Sequence, residues 1–319
     1  LSPESPHNML IFQGISPRRR PPSGRAVTIG NFDGVHLGHQ ALIGRTVTLA
    51  QQQGLKSALV TFEPHPRAYF SPQSAPGKIQ GLRAKAAVLA GLGVDELWIL
   101  RFGQSLATMS AEDFMQKFLF ESMQAKELVI GDDFRFGARR RGNLELLQQA
   151  SGQFGWRVHC INAVHAGGER ASSSRLRALL ARGEIREAEA LMGHPVFLSG
   201  HVIHGKKLGR ELGVPTLNIP VPRSLLLSGV FVVSVSGLAD APIAGVASLG
   251  HRPTIEQSGR LLLEVHLFDW SGDAYGKIVQ VTVHEKLRDE ARFESLQSMT
   301  EQMHLDLQQA RQYFSQHVH

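Results

Sequence analysis

Two histidines three residues apart, His36 and His39, stand in GNFDGVHLGHQ (Gly30–Gln40), directly behind a short apolar run. Three chemistries suit such a stretch: a metal site, a phosphate site, or a turn carrying surface imidazoles. Zinc is disfavoured, because the histidines have no cysteine or carboxylate partners at ligand spacing and the chain holds one cysteine. The glycines Gly30, Gly34 and Gly38 do not form G-x-G-x-x-G, and no Gly-Lys-Ser/Thr follows. What fits is a strand end, a tight loop around Asn31, and a helix opening near Gly38–His39. Free N–H groups and the positive end of the helix dipole attract phosphate there. Imidazoles at i and i+3 share one side of a helix and can donate to phosphate oxygens.

Four further stretches carry chemistry. GDDFRFGARRRGN (Gly131–Asn143) follows the apolar ELVI, and its Asp132 and Asp133 suit a ribose, an adenine amine or Mg²⁺. ERASSSRLRALL (Glu169–Leu180) opens a helix with three serines. Its hydroxyls can cap the N-terminus, and Arg177 can reach a phosphate. GRELGVPTLNIPVP starts at Gly209 and places Thr216 and Asn218 two apart, on one face if extended, where they could ligate Mg²⁺. In LLLEVHLFDWSGDAYG, Glu264 interrupts an apolar strand. Such a carboxylate either points outward or serves as a general base. His266, two residues on, shares its face.

These stretches must be held by regular elements. Strands are expected at 26–29, 57–62, 95–100, 127–130 and 156–161. Helices are expected at 39–53, 79–90, 110–122 and 143–153. The alternation predicts a parallel sheet covered on both faces, with ligands beyond the carboxyl ends of the strands. SAED at Ser110 reads as a capping box. The pattern changes near 183–195, where a short helix ends at Gly193. Beyond it come β segments at 196–204, 229–236, 243–248, 261–268 and 277–284, then a helix over 293–314. Five or so strands and a terminal helix predict a small closed barrel. The expected domains are therefore residues 1–185 and 186–319.

The chain has 319 residues, 42% of them hydrophobic, with no apolar run long enough for a membrane helix. The opening 25 residues lack a signal-peptide pattern, and Met9 is the expected start. The lone Cys160 predicts a cytoplasmic protein without disulfides, its thiol packed in a buried strand. The net charge of +6 suits nucleotides or RNA, but the Arg18–Arg20 and Arg139–Arg141 clusters are short and separate.

Taken together, GNFDGVHLGH, TFEPHP, GDDFRFG, SSSRLR, PTLN and EVHLFD…YG resemble, in order, the motifs of the bacterial bifunctional riboflavin kinase/FMN adenylyltransferase (FAD synthetase) family. The resemblance runs from about Met9 to the C-terminus. It implies an α/β fold: a Rossmann-like nucleotidylyltransferase domain with a parallel sheet, then a small antiparallel β-barrel kinase domain with a C-terminal helix. It implies phosphorylation of riboflavin by ATP to FMN, then adenylylation of FMN to FAD with release of pyrophosphate, both with Mg²⁺. Carried over by position, His36 and His39 would stabilise the phosphates and leaving pyrophosphate. Gly30, Asn31, Gly38, Asp133, Arg170, Ser173, Ser174, Arg177 and Gly209 would bind ATP. Phe62, His65 and Pro66 would lie near the flavin of the adenylyltransferase, and Arg288 and Phe293 near riboflavin. Thr216 and Asn218 would hold Mg²⁺, and Glu264 would be the base. The partners implied are small molecules, without nucleic acid or membrane, and self-association is left open.

Some positions depart from the family pattern. Leu217 stands where Ala is usual in PTLN, Ser228 and Phe231 alter the usual Pro-Gly-Val-Tyr, Ser174 replaces a common Thr, and His251 a common Arg. One rival is an aminoacyl-tRNA synthetase-like protein, which would need a lysine-rich second loop that SSSRLR lacks. The other is a nucleotide-binding module joined to an RNA-binding barrel, whose stacking aromatics are sparse in these strands.

Overall fold

A computed structural model describes residues 8–15, 24–205, 214–250 and 261–317. Gly209, the Arg18–Arg20 cluster and His251 lie outside them. The chain divides into two compact units, Leu1–Pro76 with Lys85–Ser172, and Gly77–Ala84 with Ser173–His319.

The first unit is built on six strands: β1 (Leu10–Gln13), β2 (Arg25–Ile29), β3 (Lys56–Glu63), β4 (Glu96–Arg101), β5 (Ala125–Gly131) and β6 (Arg157–Ile161). All neighbours run parallel, in the order β1-β4-β3-β2-β5-β6. From β2 the chain steps out to one side through β3 and β4 and later returns to the other side as β5. The carboxyl ends of β2 and β5 thus flank the point where the strand order reverses, the ligand position in such sheets. Every residue of β2 is buried. One face of the sheet packs Val27, Ile29, Val60 and Ile130 with Phe114 and Phe118. The other packs Ala26 and Val129 with Leu49 and Ala50 of the helix Leu37–Gln53. That two-sided burial is why these strands read as continuous apolar runs.

Three features differ from expectation. The edge strand β1 (LIFQ) has no periodic signature: it is four residues long and leaves Leu10 and Ile11 43% and 53% exposed. The stretch at 143–153 is two short helices, Leu144–Gln149 and Ser151–Phe154, the first capped by the Asn143 side chain, which accepts from Leu146 N at 2.9 Å. Cys160 is exposed, not a core thiol, because β6 is the outermost strand and is only partly covered. The expected cap at Ser110 is present, its Oγ accepting from Asp113 N at 2.9 Å. The helix it opens continues with π winding over Phe114–Ser122.

Two charged clusters anchor the sheet. Arg25, 1% exposed, donates from Nε to Glu96 Oε2 at 2.6 Å and from Nη1 to Met123 O at 2.9 Å. Trp98 Nε1 donates to the same Glu96 oxygen at 2.9 Å. On β5, the buried Glu127 carboxylate pairs with Arg157 and with His159 Nε2, the latter at 2.6 Å. Burial by itself would raise the Glu127 carboxyl, but hydrogen bonds from Arg157 and His159 outweigh it and hold the group below its ordinary value. A carboxylate depressed in the folded state stabilises the fold above its unfolded pKa, and that contribution is lost as pH falls through the folded value. The urea midpoint of the wild-type protein should therefore fall more steeply than that of Glu127→Gln as pH drops below about 4.3, the unfolded carboxyl value. Parallel curves would show that the cluster adds nothing.

The second unit is a six-stranded antiparallel sheet: β9 (Val196–His201), β10 (Leu217–Val221), β11 (Gly229–Ser236), β12 (Ile243–Leu249), β13 (Leu261–Leu267) and β14 (Ile278–Arg288). A small hairpin, β7 (His165–Ala166) with β8 (Glu169–Arg170), precedes it in the first unit. The strand order is β10-β13-β12-β11-β14-β9. The sheet curls until its two edges meet at a bridge between Ile203 and Asn218, with Ile203 N donating to Asn218 O at 2.8 Å. Ile219, Leu263, Val265, Val281 and Val283 are all at most 2% exposed and fill the barrel. Outside, the helix Leu296–His317 lays Ala310 and Leu307 over Val230, Val232, Val246 and Phe268. The strand β10 agrees with the extended reading of the PTLN stretch, although Pro220 lies within it. Pro is tolerated in a sheet where its position demands no N–H, as on edge strands.

Candidate functional site

In the first unit, the loop Gly30–His36 leaves the carboxyl end of β2 and enters the helix Leu37–Gln53. Its backbone is strained: Phe32 and the β-branched Val35 hold φ of 47° and 37°. Phe32 and Val35 are fully buried, so packing imposes the conformation. His36 is the helix N-cap, its Nδ1 accepting from His39 N at 3.4 Å. Because the amide can only donate, that contact sets the tautomer with the proton on Nε2. The two imidazoles stack, centroids 3.6 Å apart at 18°, and Phe32 meets His39 edge-on at 5.1 Å. Gly38 lets this stack sit close, because a Cβ there would lie 3.2 Å from the His36 ring and 3.4 Å from Ala171 O.

Two residues that the sequence did not single out support the loop. Lys85 is 7% exposed, and its Nζ donates to Asn31 O at 2.7 Å; Thr61 Oγ1 donates to the same carbonyl at 3.0 Å. The signal in the sequence was a lysine two residues after Arg83 in a largely apolar helix, a residue type rarely buried without partners. The Oδ1 of Asn31 is buried and accepts no hydrogen bond among the described residues.

Of the other expected residues in this unit, Gly30 starts the loop, with Phe32 3.1 Å from where a Cβ would be. Asp133 is exposed at the end of β5, and Arg170 Nη2 donates to Asp133 Oδ2 at 2.8 Å and to Asp132 Oδ1 at 3.4 Å. Phe62 is next to last in β3 and meets Phe102 at 5.9 Å. His65 caps the helix Pro66–Phe70, its Nδ1 accepting from Arg67 N at 3.1 Å, with Pro66 at the first helical position. Histidine loop, aspartates and aromatics all lie at carboxyl ends of strands of one sheet.

Ser173, Ser174 and Arg177 belong to the helix Ser173–Arg182, which groups with the second unit. Ser174 is exposed, and Arg177 Nε donates to Gly77 O at 2.8 Å.

In the barrel, strand pairing joins residues that are 46 apart in sequence. Asn218 on β10 is directly opposite Glu264 on β13, and Glu264 is opposite Ser248 on β12. Directly opposed residues share a face, so the three form one row on the outer surface. Glu264 is exposed, alternating with buried Leu263 and Val265. The buried-carboxylate puzzle therefore resolves to its outward-pointing alternative, and a base role for Glu264 rests on the family resemblance. Asn218 is 9% exposed, with Nδ2 facing Thr216 O at 3.5 Å. Gly205 backs onto it so closely that a Cβ would be 2.2 Å from Asn218 Nδ2. Thr216 and Asn218 also line a cavity of about 340 Å³ whose wall includes Val265, Leu267, Trp270 and Tyr275. Among the described residues no cluster of three or more His, Cys, Asp or Glu side chains could hold a metal. A hydroxyl and an amide oxygen beside a cavity are a hard, neutral donor pair, which suits Mg²⁺ carried in with phosphates and water. Arg288 is held by Asp306 of the C-terminal helix through Nε at 2.9 Å and Nη2 at 2.7 Å, and its guanidinium lies 5.8 Å from the Phe293 ring.

Residues 19–175 match a family model described as FAD synthetase, and residues 192–314 one described as riboflavin kinase. Over 304 residues, 95% of this chain and 97% of the relative, the sequence is 40% identical to a bifunctional riboflavin kinase/FMN adenylyltransferase of Pseudomonas fluorescens. The chain belongs to the bifunctional riboflavin kinase/FMN adenylyltransferase family. The Escherichia coli (strain K12) member is 40% identical over 308 residues, 96% of this chain and 98% of that one. A crystal structure of a Streptococcus pneumoniae protein described as a macrolide-efflux protein covers 98% of this chain and 100% of its own, with TM-score 0.74 and 27% identity. Among the described residues here, no helix is long and apolar enough to cross a membrane. Within the family frame, the histidine loop, Asp133 and Arg170 fall in the FAD synthetase match, as do Ser173 and Ser174 at its end. Thr216, Asn218, Glu264, Arg288 and Phe293 fall in the riboflavin kinase match, and Arg177 falls in neither. The rival of a nucleotide-binding module with an RNA-binding barrel finds no support, since both matched descriptions are of flavin enzymes.

Proposed function

We propose that this chain makes FAD from riboflavin in two transfers, each at its own site. The supporting observation is that each matched region contains one built site: a histidine-capped helix start in the first, and a Thr216–Asn218–Glu264 constellation in the second. Phosphorylation is assigned to residues 186–319 and adenylylation to residues 1–185. The helix Ser173–Arg182 is counted with the adenylyltransferase through Ser173 and Ser174.

In the first transfer, a ribityl hydroxyl of riboflavin attacks the γ-phosphorus of ATP. Glu264 takes the hydroxyl proton, the bond from phosphorus to the bridging oxygen breaks, and ADP leaves with FMN formed. Thr216 and Asn218 would hold Mg²⁺ on the ATP phosphates, where the ion neutralises charge. In the second transfer, an oxygen of the FMN phosphate attacks the α-phosphorus of another ATP and pyrophosphate departs. No protein nucleophile is needed. His36 and His39, at the positive end of the Leu37–Gln53 helix, stabilise charge growing on the leaving group. The unpartnered Asn31 Oδ1 suits a ligand N–H or O–H. Asp133, Arg170, Ser173, Ser174 and Arg177 would complete ATP binding, and Phe62, His65 and Pro66 would adjoin the flavin. Arg288 and Phe293 would shape the riboflavin side. The partners are small molecules in the cytoplasm, with neither nucleic acid nor membrane required.

The deciding experiment incubates purified protein with riboflavin, ATP and Mg²⁺ and separates the flavins by chromatography. FMN and FAD should both form, and absence of both would overturn the reading. His39→Ala should convert riboflavin to FMN at the parent rate and let FMN accumulate, with FAD output down about a hundredfold, the scale of one lost charge-stabilising group. Undiminished FAD output would remove His39 from the phosphate site.

A further inference from the structure

We infer that His266 is a positioning residue for riboflavin phosphorylation, acting through Thr216. The inference rests on the kinase reading above. Pairing between β10 and β13 ends at Leu217 opposite Val265. One further step along that register sets Thr216 across from His266, but the ladder does not continue. Pro215, next in line, has no N–H to donate. In place of the ladder, the His266 side chain reaches over the strand end, and its Nδ1 lies 2.9 Å from Pro215 O. The carbonyl can only accept, so Nδ1 carries the proton.

This bond clamps the residue directly before Thr216. Without it, Thr216 would leave the barrel at an unpaired strand end. With it, the Thr216 hydroxyl and the Asn218 amide are fixed against the same strand that presents Glu264. His266 points to the outer face, as Glu264 does, two residues further along β13. It packs edge-on to Phe268 at 6.0 Å, which restrains the ring. Phe268 is in turn covered by the Arg311 guanidinium at 4.4 Å. The clamp is thus seated on the packed outer face of the barrel and not on a mobile loop.

The test compares His266→Phe, His266→Asn and His266→Gln in the full chain. Phenylalanine keeps the ring and loses the donor. Asparagine places its amide nitrogen where Nδ1 was, whereas glutamine places it where Nε2 was. Riboflavin phosphorylation is measured against ATP at fixed free Mg²⁺, with adenylylation of supplied FMN as the control for folding. In His266→Phe, KM for ATP should rise about tenfold, the scale of one hydrogen bond, with a smaller change in kcat and adenylylation unchanged. His266→Asn should return KM to within about threefold of the parent on the same scale, and His266→Gln should not. In a Thr216→Ala background the effect of His266→Phe should vanish, since the clamp then has nothing to position. Equal behaviour of Asn and Gln would overturn the proposal even if the Phe variant misfolds. So would a folded Phe variant with the parent KM, or an undiminished effect without Thr216. A parent that forms no FMN overturns the kinase reading together with this inference. A parent that forms FMN, with His266→Phe unaltered, overturns this inference alone.

Discussion

Glu264→Ala should lower FMN formation from riboflavin by about a hundredfold to ten-thousandfold, the range for loss of a positioned general base, while supplied FMN is adenylylated at the parent rate. The expectation combines three observations. Glu264 is exposed, so its removal opens no cavity and strands no buried partner. It is directly opposite Asn218, the candidate metal ligand, so under the proposed function the base would lie beside the phosphate end of ATP. The adenylyltransferase candidates His36, His39, Asp133 and Arg170 are in the other compact unit. Exposed substitutions of this kind change stability by roughly 0.5 kcal/mol or less, so the thermal transition should not move. Glu264→Gln preserves shape and hydrogen bonding but cannot take a proton, and it should be as impaired as alanine. Flavin chromatography after incubation with riboflavin or with FMN separates the activities. Loss of both in a folded variant would contradict the division of labour, and an active Glu264→Gln would remove the base.

The second large effect is structural. Arg25→Ala should destabilise the first unit by about 3–5 kcal/mol, the cost of leaving a buried carboxylate without its partner. Glu96 is 5% exposed, with both oxygens directed at the Arg25 guanidinium, and the arginine also donates to Met123 O. Arg25 opens β2, the strand that delivers the histidine loop, and Glu96 opens β4. Their pairing spans β3 across the sheet, since β2 and β4 both border it. Replacing both residues with apolar ones of similar volume, as in Arg25→Met with Glu96→Leu, should recover most of the loss, because no charge is then buried alone. Urea unfolding followed by circular dichroism should show the single variant's first transition well below the parent's and the double variant's close to it. A single variant as stable as the parent would mean that water reaches Glu96 in the folded protein.

Neither residue of that pair was visible as such in the sequence. Arg25 stood at the boundary of an expected strand starting at Ala26, and Glu96 inside an expected strand. A lone charge in an apolar run has two readings, outward-facing or buried and paired. Glu96 took the buried one and Glu264 the exposed one, although both interrupt apolar strands. The difference lies in the sheets: β4 is covered on both faces, while β13 offers an outer face to solvent beyond the reach of the C-terminal helix. Local periodicity cannot distinguish these cases, because the covering layer comes from distant sequence.

The sequence by itself determined the alternation that makes the parallel sheet, the change to a barrel beyond about residue 183, and the motifs that mark the two sites. Those features are local, carried by apolar period, capping residues and short spacings. Only the tertiary structure decided that Asn218, Glu264 and Ser248 form one row, because register depends on how strands pair. It alone revealed the strained, buried turn at Phe32–Val35, the Lys85 support beneath Asn31 and the exposure of Cys160 on an edge. It also closed the barrel at the Ile203–Asn218 bridge. Each of these depends on contacts between residues far apart in the chain, and such contacts leave no period in the sequence to read.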